Sequence, residues 1–459
     1  MRRLLIGIVA LVVLAGGAAG VLWYFHTRTP VHNKYGSPTK EFVTTSPAVN
    51  KRPLVSIATK PWPLYGYDPQ RTHDAPQFGI RPPFKKIWTY RLGNTIEFPP
   101  VVGYGLLFVN QYRGRFFAIN AATGKRIWRK HFHNCGAASA AIGNGIVYQA
   151  YMQPYPCNRY PRTQRGFIVA MRFRDRHGAW INGRILWYYR TGAVETSPLL
   201  VHNTLYWGTW DGRLYAVDVR HPKRPRLRWK FVADSEIDSS PAYAAGRIFF
   251  GTNAGSVYAL NARTGRELWR SSSYSGFLHG REYFYATPTL AYGRVYIGNT
   301  DGTLYVFGQR TGHLLWSRHA GTYIYSAAAV WRREVIVGTY DGHLIAYNAA
   351  TGRTLWEHTA PAAIHGAPAI VDGIVYFSTC PSCGSHGSRY AKSGPPGTYG
   401  VSARTGRVVW KFTDGRYSPV VADSERLYVA GWTHVYGFVP AAKYGAYLRN
   451  VLHRHKRRP

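Results

Sequence analysis

The chain has 459 residues, of which 46% are hydrophobic and 15% are aromatic, and it contains 48 glycines but only 3 methionines. This composition excludes both a disordered polypeptide and a helix-rich bundle. Lys and Arg outnumber Asp and Glu by 58 to 21, and the net charge of +37 predicts attraction to polyanions. Arg-rich codon use explains the same charge, so we expect no nucleic acid among the partners.

The first 25 residues predict the compartment. After Arg2 and Arg3, residues 4–25 form an uncharged run that would span about 33 Å as a helix, enough to cross a bilayer. The two arginines would hold the N-terminus in the cytoplasm and leave the rest of the chain outside it. We therefore expect residues 1–25 to be a single-pass transmembrane anchor or an uncleaved signal. A cleaved signal peptide is the alternative, because this run contains small residues that would admit a peptidase.

Residues 26–60 are rich in Pro, Thr, Ser and Lys and show no hydrophobic periodicity. This composition predicts a flexible linker. A random coil of this length has an end-to-end distance of about 30 Å, so we expect the folded part of the chain to sit off the membrane.

One motif recurs along the rest of the chain. It is found in AINAATGKRIW (118–128), ALNARTGRELW (259–269), VFGQRTGHLLW (306–316), AYNAATGRTLW (346–356) and GVSARTGRVVW (400–410). Each copy predicts a strand, a tight Thr-Gly turn and a second strand that ends in Trp, since Gly supplies the positive φ that the turn needs. Asp-Gly pairs at 211, 301 and 341 mark a preceding hairpin, so each unit of about 40 residues supplies four antiparallel strands.

The tryptophans that end these units predict the number of blades. There are eight of them, namely Trp88, Trp128, Trp187, Trp229, Trp269, Trp316, Trp356 and Trp410. A four-stranded unit cannot bury both of its faces alone, and radial stacking solves this, so we predict an all-β, eight-bladed propeller over residues 61–440. The last unit lacks a Trp strand, whereas Trp88 lies on a Trp strand without the other three. We therefore expect the N-terminal strand to complete the last blade and close the ring.

The repeated signature resembles the pyrroloquinoline quinone (PQQ) repeat of quinoprotein alcohol dehydrogenases and of the outer-membrane assembly lipoprotein of Gram-negative bacteria. The resemblance implies that the tryptophans dock on the turn of a neighbouring blade and are structural. In the dehydrogenases it implies PQQ with calcium, held by Glu and Asn beside an Asp base and a vicinal Cys pair. Only Glu97 resembles a quinone-contacting residue, and Cys135 stands alone where a Cys pair would be. We therefore expect no catalytic residues and no metal ligands, with a divergent PQQ- and calcium-dependent dehydrogenase as the alternative.

A second set of residues comes from the start of each blade. When the first strands are aligned on their Pro or Ala, the position three residues earlier always holds a side chain that hydrogen-bonds or ionises. These residues are Glu97, Cys135, Glu195, Asp238, Tyr285, Tyr325, His365 and Arg416. We expect them to form a ring at one mouth of the central channel that binds a metal ion, a cationic group or a peptide segment of a partner. A solvated rim without function is the alternative.

The four cysteines fall at the same end of the predicted propeller. Cys135 begins the second blade and Cys157 lies in its insertion, while Cys380 and Cys383 lie in the insertion of the seventh blade. Outside the cytoplasm they favour two disulfides, 135 with 157 and 380 with 383. A redox Cys-x-x-Cys site or a zinc site that uses His386 stays open. We expect an envelope protein partner or peptide to bind the face that carries both insertions.

The C-terminal residues 441–459 form a basic tail with apolar residues at helical spacing, including Tyr444 and Tyr447. We expect a short helix packed on the propeller, or else contact with anionic lipid or wall polymers. Taken together, the sequence predicts a membrane-anchored, extracytoplasmic PQQ-like propeller that acts as a binding or scaffolding module in the cell envelope.

Overall fold

The structure is a computed structural model that describes residues 16–17, 33–44, 61–75, 78–157, 165–274, 282–380, 392–418 and 420–456. Nearly all of the predicted transmembrane anchor at 1–25 therefore lies outside the described residues. Among the residues that are described, no helix is both long and apolar enough to cross a membrane.

The described chain folds into eight sheets of antiparallel strands, which confirms the predicted eight-bladed, all-β propeller. The first eighteen strands are β1 (Asp74–Ala75), β2 (Phe84–Arg91), β3 (Val101–Gly103), β4 (Leu106–Asn110), β5 (Arg115–Asn120), β6 (Arg126–His131), β7 (Ala141–Gly143), β8 (Ile146–Tyr151), β9 (Arg165–Arg174), β10 (Trp180–Gly192), β11 (Leu199–Val201), β12 (Thr204–Gly208), β13 (Arg213–Asp218), β14 (Arg226–Val232), β15 (Ala242–Ala244), β16 (Arg247–Gly251), β17 (Ser256–Asn261) and β18 (Glu267–Ser272). The remaining strands are β19 (Thr289–Ala291), β20 (Arg294–Gly298), β21 (Thr303–Gly308), β22 (Leu314–His319), β23 (Ala329–Trp331), β24 (Glu334–Gly338), β25 (His343–Asn348), β26 (Thr354–Thr359), β27 (Ala369–Val371), β28 (Ile374–Ser378), β29 (Thr398–Ser402), β30 (Val408–Phe412), β31 (Val421–Ala422), β32 (Leu427–Ala430) and β33 (His434–Pro440). A 3-10 turn (Ala441–Lys443) and the helix α1 (Tyr444–Lys456) follow β33.

Blade one consists of β3 to β6, and each later blade takes the next four strands up to β30. Blade eight combines β31, β32 and β33 with β2, which pairs antiparallel to β33 and places Trp88 opposite Gly437. The N-terminal strand β2 therefore supplies the outer strand of blade eight and closes the ring, as predicted. The first strands of neighbouring blades contact one another, for example β3 with β7 and with β31, so these strands line the central channel.

Each repeated turn has a local reason for its sequence. In blade four, the Asn261 side-chain oxygen accepts hydrogen bonds from the backbone N–H groups of Arg263 and Thr264, both at 3.0 Å. Gly265 then takes φ +73°, and a Cβ built there would come within 2.7 Å of the Trp229 ring from the preceding blade. The Asn, the Gly and the Trp of the motif thus form one structural unit that spans two blades.

The tryptophans join each blade to the next. Six indole N–H groups donate to a backbone carbonyl of the following blade at 2.8 to 3.2 Å, in the pairs Trp88 with Ala121, Trp187 with Pro222, Trp229 with Ala262, Trp269 with Gln309, Trp316 with Ala349 and Trp356 with Ala403. Trp128 instead packs its ring over Gly183, and its buried N–H has no hydrogen-bond partner among the described residues. Trp410 stacks edge-to-face on Phe84 and Phe438.

The antiparallel strand order gives the propeller two faces. The mouth face carries the segments that lead into the first strand of each blade and the turns between second and third strands. The plug face is the opposite one, and it carries the Thr-Gly turns between third and fourth strands. The plug face is named after residues 61–75, which we call the plug.

The plug crosses the central channel. Trp62 exchanges backbone hydrogen bonds of 2.9 Å with Val102 of blade one. Innermost strands of five further blades each donate a backbone N–H to a plug carbonyl at 2.7 to 2.9 Å, namely Ile142 to Pro63, Tyr243 to Pro69, Leu290 to Gln70, Val330 to Thr72 and Ile370 to His73. Strand β1, the last part of the plug, also pairs parallel to β27. The plug therefore closes this end of the channel.

Two other segments lie on the plug face. Residues 33–44 fall within the predicted flexible linker at 26–60, yet here they are bound to the propeller. The buried guanidinium of Arg294 holds them, because it donates to the carbonyls of Ser37 at 2.8 Å and Lys40 at 2.7 Å. Buried guanidinium groups need such acceptors, and the propeller alone does not supply all of them here.

The helix α1 occupies the part of the chain for which the sequence predicts a short helix. The Tyr447 hydroxyl donates to the Ala122 carbonyl at 3.0 Å, in the Thr-Gly turn of blade one. Lys443 Nζ donates to the Gly79 carbonyl at 3.1 Å. Helix α1 therefore also packs on the plug face.

Candidate functional site

A cavity opens at the mouth of the channel and encloses about 440 Å³, a volume that includes space open to solvent. Five of the eight predicted ring positions line this cavity, namely Glu97, Asp238, Tyr285, Tyr325 and His365. Tyr65 of the plug also lines it, so the plug forms its floor. The channel is therefore a blind pocket that opens on the mouth face.

Two further ring positions, Glu195 and Cys135, are not among the residues that line the cavity. Glu195 accepts a hydrogen bond from the Tyr285 hydroxyl, so its carboxylate is tied to a lining residue. Cys135 is buried and forms a disulfide with Cys157, with 5.5 Å between the Cα atoms. Cys380 is disulfide-bonded as well, and Cys383, which the sequence pairs with it, lies outside the described residues, as does His386.

The eighth ring position differs from the expectation. Arg416 is partly exposed and is not among the described residues that line the cavity, whereas the next residue, Tyr417, contacts the ring of His365 at 4.5 Å between centroids. The strand register explains the difference, because Val421 pairs with Tyr428 as Val101 pairs with Phe108. Val420, and not Pro419, is therefore equivalent to Pro100, and an alignment on Pro419 names the residue before the true ring position.

The ring side chains of four blades stack in an arc around the mouth. The centroids of Tyr285 and Tyr325 are 4.1 Å apart, and those of Tyr325 and His365 are 4.5 Å apart. His365 Nδ1 shares a hydrogen bond of 2.6 Å with the Tyr340 hydroxyl. Burial lowers the pKa of His365 to about 3, so its imidazole is neutral at physiological pH. The arc, which continues to Tyr417, is therefore aromatic and uncharged.

The carboxylates give the pocket its charge. Burial raises the pKa of Glu97 to about 7, and the Glu97 carboxylate makes no hydrogen bond or ion pair with any described residue. Burial and the nearby Glu97 and Glu195 together raise the pKa of Tyr112. Asp238 accepts a hydrogen bond of 2.7 Å from the Asn253 side-chain amide. No Lys or Arg occurs among the described residues that line the cavity.

These residues do not fit PQQ with calcium. PQQ carries three carboxylates, and the described lining of the cavity offers it carboxylates without a Lys or Arg to pair with them. The described residues contain no group of three or more His, Cys, Asp or Glu side chains placed to hold a metal ion. Cys135 pairs with a residue 22 positions away, rather than with an adjacent cysteine.

The sequence did not predict that the plug contributes to the site. Arg71 is fully buried, and its guanidinium donates to the carbonyls of Pro241 at 3.0 Å and Ser197 at 3.2 Å and to that of Tyr65. Nothing in the sequence near Arg71 distinguishes it from the other arginines, because its carbonyl partners come from distant blades.

Most of the propeller matches one known protein family in sequence. Residues 85–224, 225–332 and 321–439 each match the family described as outer membrane protein assembly factor BamB. The chain belongs to this BamB family. The Trp and Thr-Gly motif occurs in all three matched segments.

Individual relatives are more distant. The outer membrane protein assembly factor BamB of Shewanella oneidensis is 23% identical over 202 residues, 41% of this chain and 48% of that protein. A lanthanide-dependent methanol dehydrogenase of Methylacidiphilum fumariolicum is 33% identical over 102 residues, 19% of this chain and 16% of that protein. The chain thus spans less than half the length of either curated relative.

Solved structures share the fold at low identity. The crystal structure of BamB from Moraxella catarrhalis has a TM-score of 0.59 at 14% identity and covers 78% of this chain and 99% of its own. A europium-containing methanol dehydrogenase has a TM-score of 0.61 at 12% identity and covers 83% of this chain and 98% of its own. Because a BamB and a dehydrogenase match about equally well, this likeness shows the fold but does not indicate the function.

Proposed function

We propose that the protein is a membrane-anchored scaffolding module of the cell envelope, whose mouth face binds a partner polypeptide outside the cytoplasm. Membership of the BamB family supports an assembly role. The observation that carries the proposal is the placement of the plug, residues 33–44 and α1 on one face. Among the described residues, no such segment covers the mouth face, which has a polar pocket at its centre.

The same placement supports an orientation for the propeller. Residues 33–44 follow the predicted anchor at 1–25 in the sequence and lie on the plug face, so we propose that this face turns toward the membrane and the mouth face away from it. The basic residues of the tail at 441–459 then lie on the membrane side, where anionic lipid headgroups or wall polymers would attract them. The disulfide between Cys135 and Cys157 supports an oxidising, extracytoplasmic location.

Site-specific photo-crosslinking in cells tests the proposal. A photoreactive phenylalanine analogue replaces Tyr155 or Trp432, which are 56% and 36% exposed on the mouth face, or the exposed Arg404 in a Thr-Gly turn of the plug face. We expect a discrete protein adduct in the envelope fraction from both mouth-face positions and none from Arg404. Adducts from Arg404 alone would overturn the assignment of the binding face.

The dehydrogenase alternative has its own test. The full-length protein in detergent is titrated with PQQ in the presence and absence of calcium, with heat release as the readout. We expect no stoichiometric binding, because the lining of the pocket lacks basic side chains. Tight, calcium-dependent binding would replace the scaffold proposal and direct the search to alcohol and sugar substrates.

A further inference from the structure

We propose that the mouth pocket binds an organic cation, namely the ammonium or guanidinium group of a basic side chain that a partner polypeptide inserts. The inference deepens the proposed function and rests on it. The charge of the pocket, one buried hydroxyl that has no partner among the described residues and the tyrosines of the aromatic arc support it.

The described lining of the pocket contains carboxylates but no basic side chain that would balance their charge. Glu97 lines the pocket without a hydrogen bond or an ion pair to another described residue. The chain has 58 Lys and Arg residues, yet none of them lines the described part of the cavity. Arg71 below the floor already bonds three backbone carbonyls. A partly buried carboxylate without a counter-charge is costly, and an incoming cation would reduce that cost.

An independent hydrogen-bonding group also faces the cavity. Ser326 lines the cavity, is only 7% exposed, and its hydroxyl has no hydrogen-bond partner among the described residues. Buried hydroxyls are normally satisfied, so this one marks a place for a ligand atom. Its oxygen accepts the hydrogen bond that an ammonium or guanidinium N–H donates.

The composition of the lining favours an organic cation over a metal ion. Divalent cations require several oxygen ligands together, and the described residues provide no such group. The lining instead combines Glu97 with the tyrosines of the aromatic arc. The rings of Tyr285 and Tyr325 stack on one another with 4.1 Å between their centroids, so what they offer an incoming cation is their hydroxyl oxygens. A hydroxyl oxygen accepts a hydrogen bond from an ammonium or guanidinium N–H. The pocket thus combines a carboxylate with hydroxyl acceptors.

Titration of the full-length protein in detergent tests the inference. The probes are Nα-acetyl-lysine amide, Nα-acetyl-arginine amide and n-butylammonium, with the uncharged Nα-acetyl-norleucine amide as the matched control. We expect saturable binding of the cations and none of the norleucine derivative. The Glu97→Gln variant should bind the cations at least tenfold more weakly, Ser326→Ala several-fold more weakly, and the exposed plug-face variant Glu267→Gln as tightly as the unmodified chain.

The outcomes separate the sources of the cation. Lysine or arginine derivatives that bind more tightly than n-butylammonium support a polypeptide side chain, whereas equal affinity supports a free amine as the ligand instead. Equal binding by Glu97→Gln, with its fold verified by near-UV circular dichroism, would overturn the pocket assignment. So would binding of calcium in place of the amines. If mouth-face crosslinks persist in that case, the scaffold proposal stands and only the cation pocket fails.

Discussion

Replacement of Glu97 by Gln should stabilise the protein at alkaline pH. The pKa of this carboxyl rises from 4.5 in the unfolded chain to about 7 in the fold because of burial. One pKa unit corresponds to about 1.4 kcal/mol, so the ionised side chain costs the native state about 3 kcal/mol above pH 8. Because the folded-state pKa is the higher one, the associated stability is fully present below pH 4.5 and is lost as the pH rises through 7.

Urea unfolding, followed by tryptophan fluorescence, measures this effect at about pH 5 and about pH 8.5. We expect Glu97→Gln to gain about 3 kcal/mol over the unmodified chain at the higher pH and about 1 kcal/mol or less at the lower. Glu267→Gln removes a charge from an exposed position on the opposite face and should show no such pH-dependent gain. A gain for Glu97→Gln that is the same at both pH values would refute the claim that an ionised, buried carboxylate destabilises the fold.

Two further substitutions test the contacts that hold the blades together. Trp316→Phe removes an indole N–H that donates to the Ala349 carbonyl, which keeps its hydrogen bonds from Arg294 and Tyr296, and should lower the free energy of unfolding by about 1 kcal/mol. Trp128→Phe is the matched control, since its buried N–H has no partner, and a loss as large as that of Trp316→Phe would contradict the docking argument. Replacing Cys135 and Cys157 together by Ala opens a loop with a sequence separation of 22 and should cost about 3 kcal/mol, measured by the same urea unfolding. An unchanged midpoint would show that the disulfide does not stabilise the mouth face.

The repeat explains why so much of the fold follows from the sequence. Each Thr-Gly turn and its Trp are local signals, and eight tryptophans correspond to eight blades because every one of them lies within an outer strand, although these strands continue beyond the Trp at which the sequence predicts their end. The closure by β2 was also predictable, since Trp88 lacks three strands and the last unit lacks one. Even the mouth position of Glu97 and Asp238 follows from the repeat, because equivalent positions in equivalent blades meet around one axis.

Features that break the repeat could not be predicted in this way. The plug has no hydrophobic periodicity, and its backbone is satisfied by strands from six blades that are far away in the sequence. Residues 33–44 have the composition of a linker, and only the buried Arg294 explains why they bind. In both cases the decisive contact is long-range, so local composition carries no signal for it. In blade eight the ring position is Tyr417 and not Arg416, because the pairing of β31 with β32, and not the nearest Pro, sets the register.

Arg71 links the plug to the blades, and its replacement should free the plug selectively. Its guanidinium bonds the carbonyls of Tyr65, Ser197 and Pro241. Arg71→Met leaves these acceptors unsatisfied at about 1 to 3 kcal/mol each, while relief of the buried charge offsets part of the loss, so we expect a net cost of about 3 kcal/mol.

Arg71→Lys keeps the charge but not the planar fork of donors that reaches three carbonyls, so an intermediate loss is expected. Hydrogen exchange with mass spectrometry locates the effect. Amides of the plug at 61–75 should lose protection first, while those of the blade strands keep theirs, because the Trp and Thr-Gly contacts between blades do not involve Arg71. Equal loss of protection in the plug and in all eight blades would mean that the plug is an integral part of the propeller core and not a separate closure of its channel.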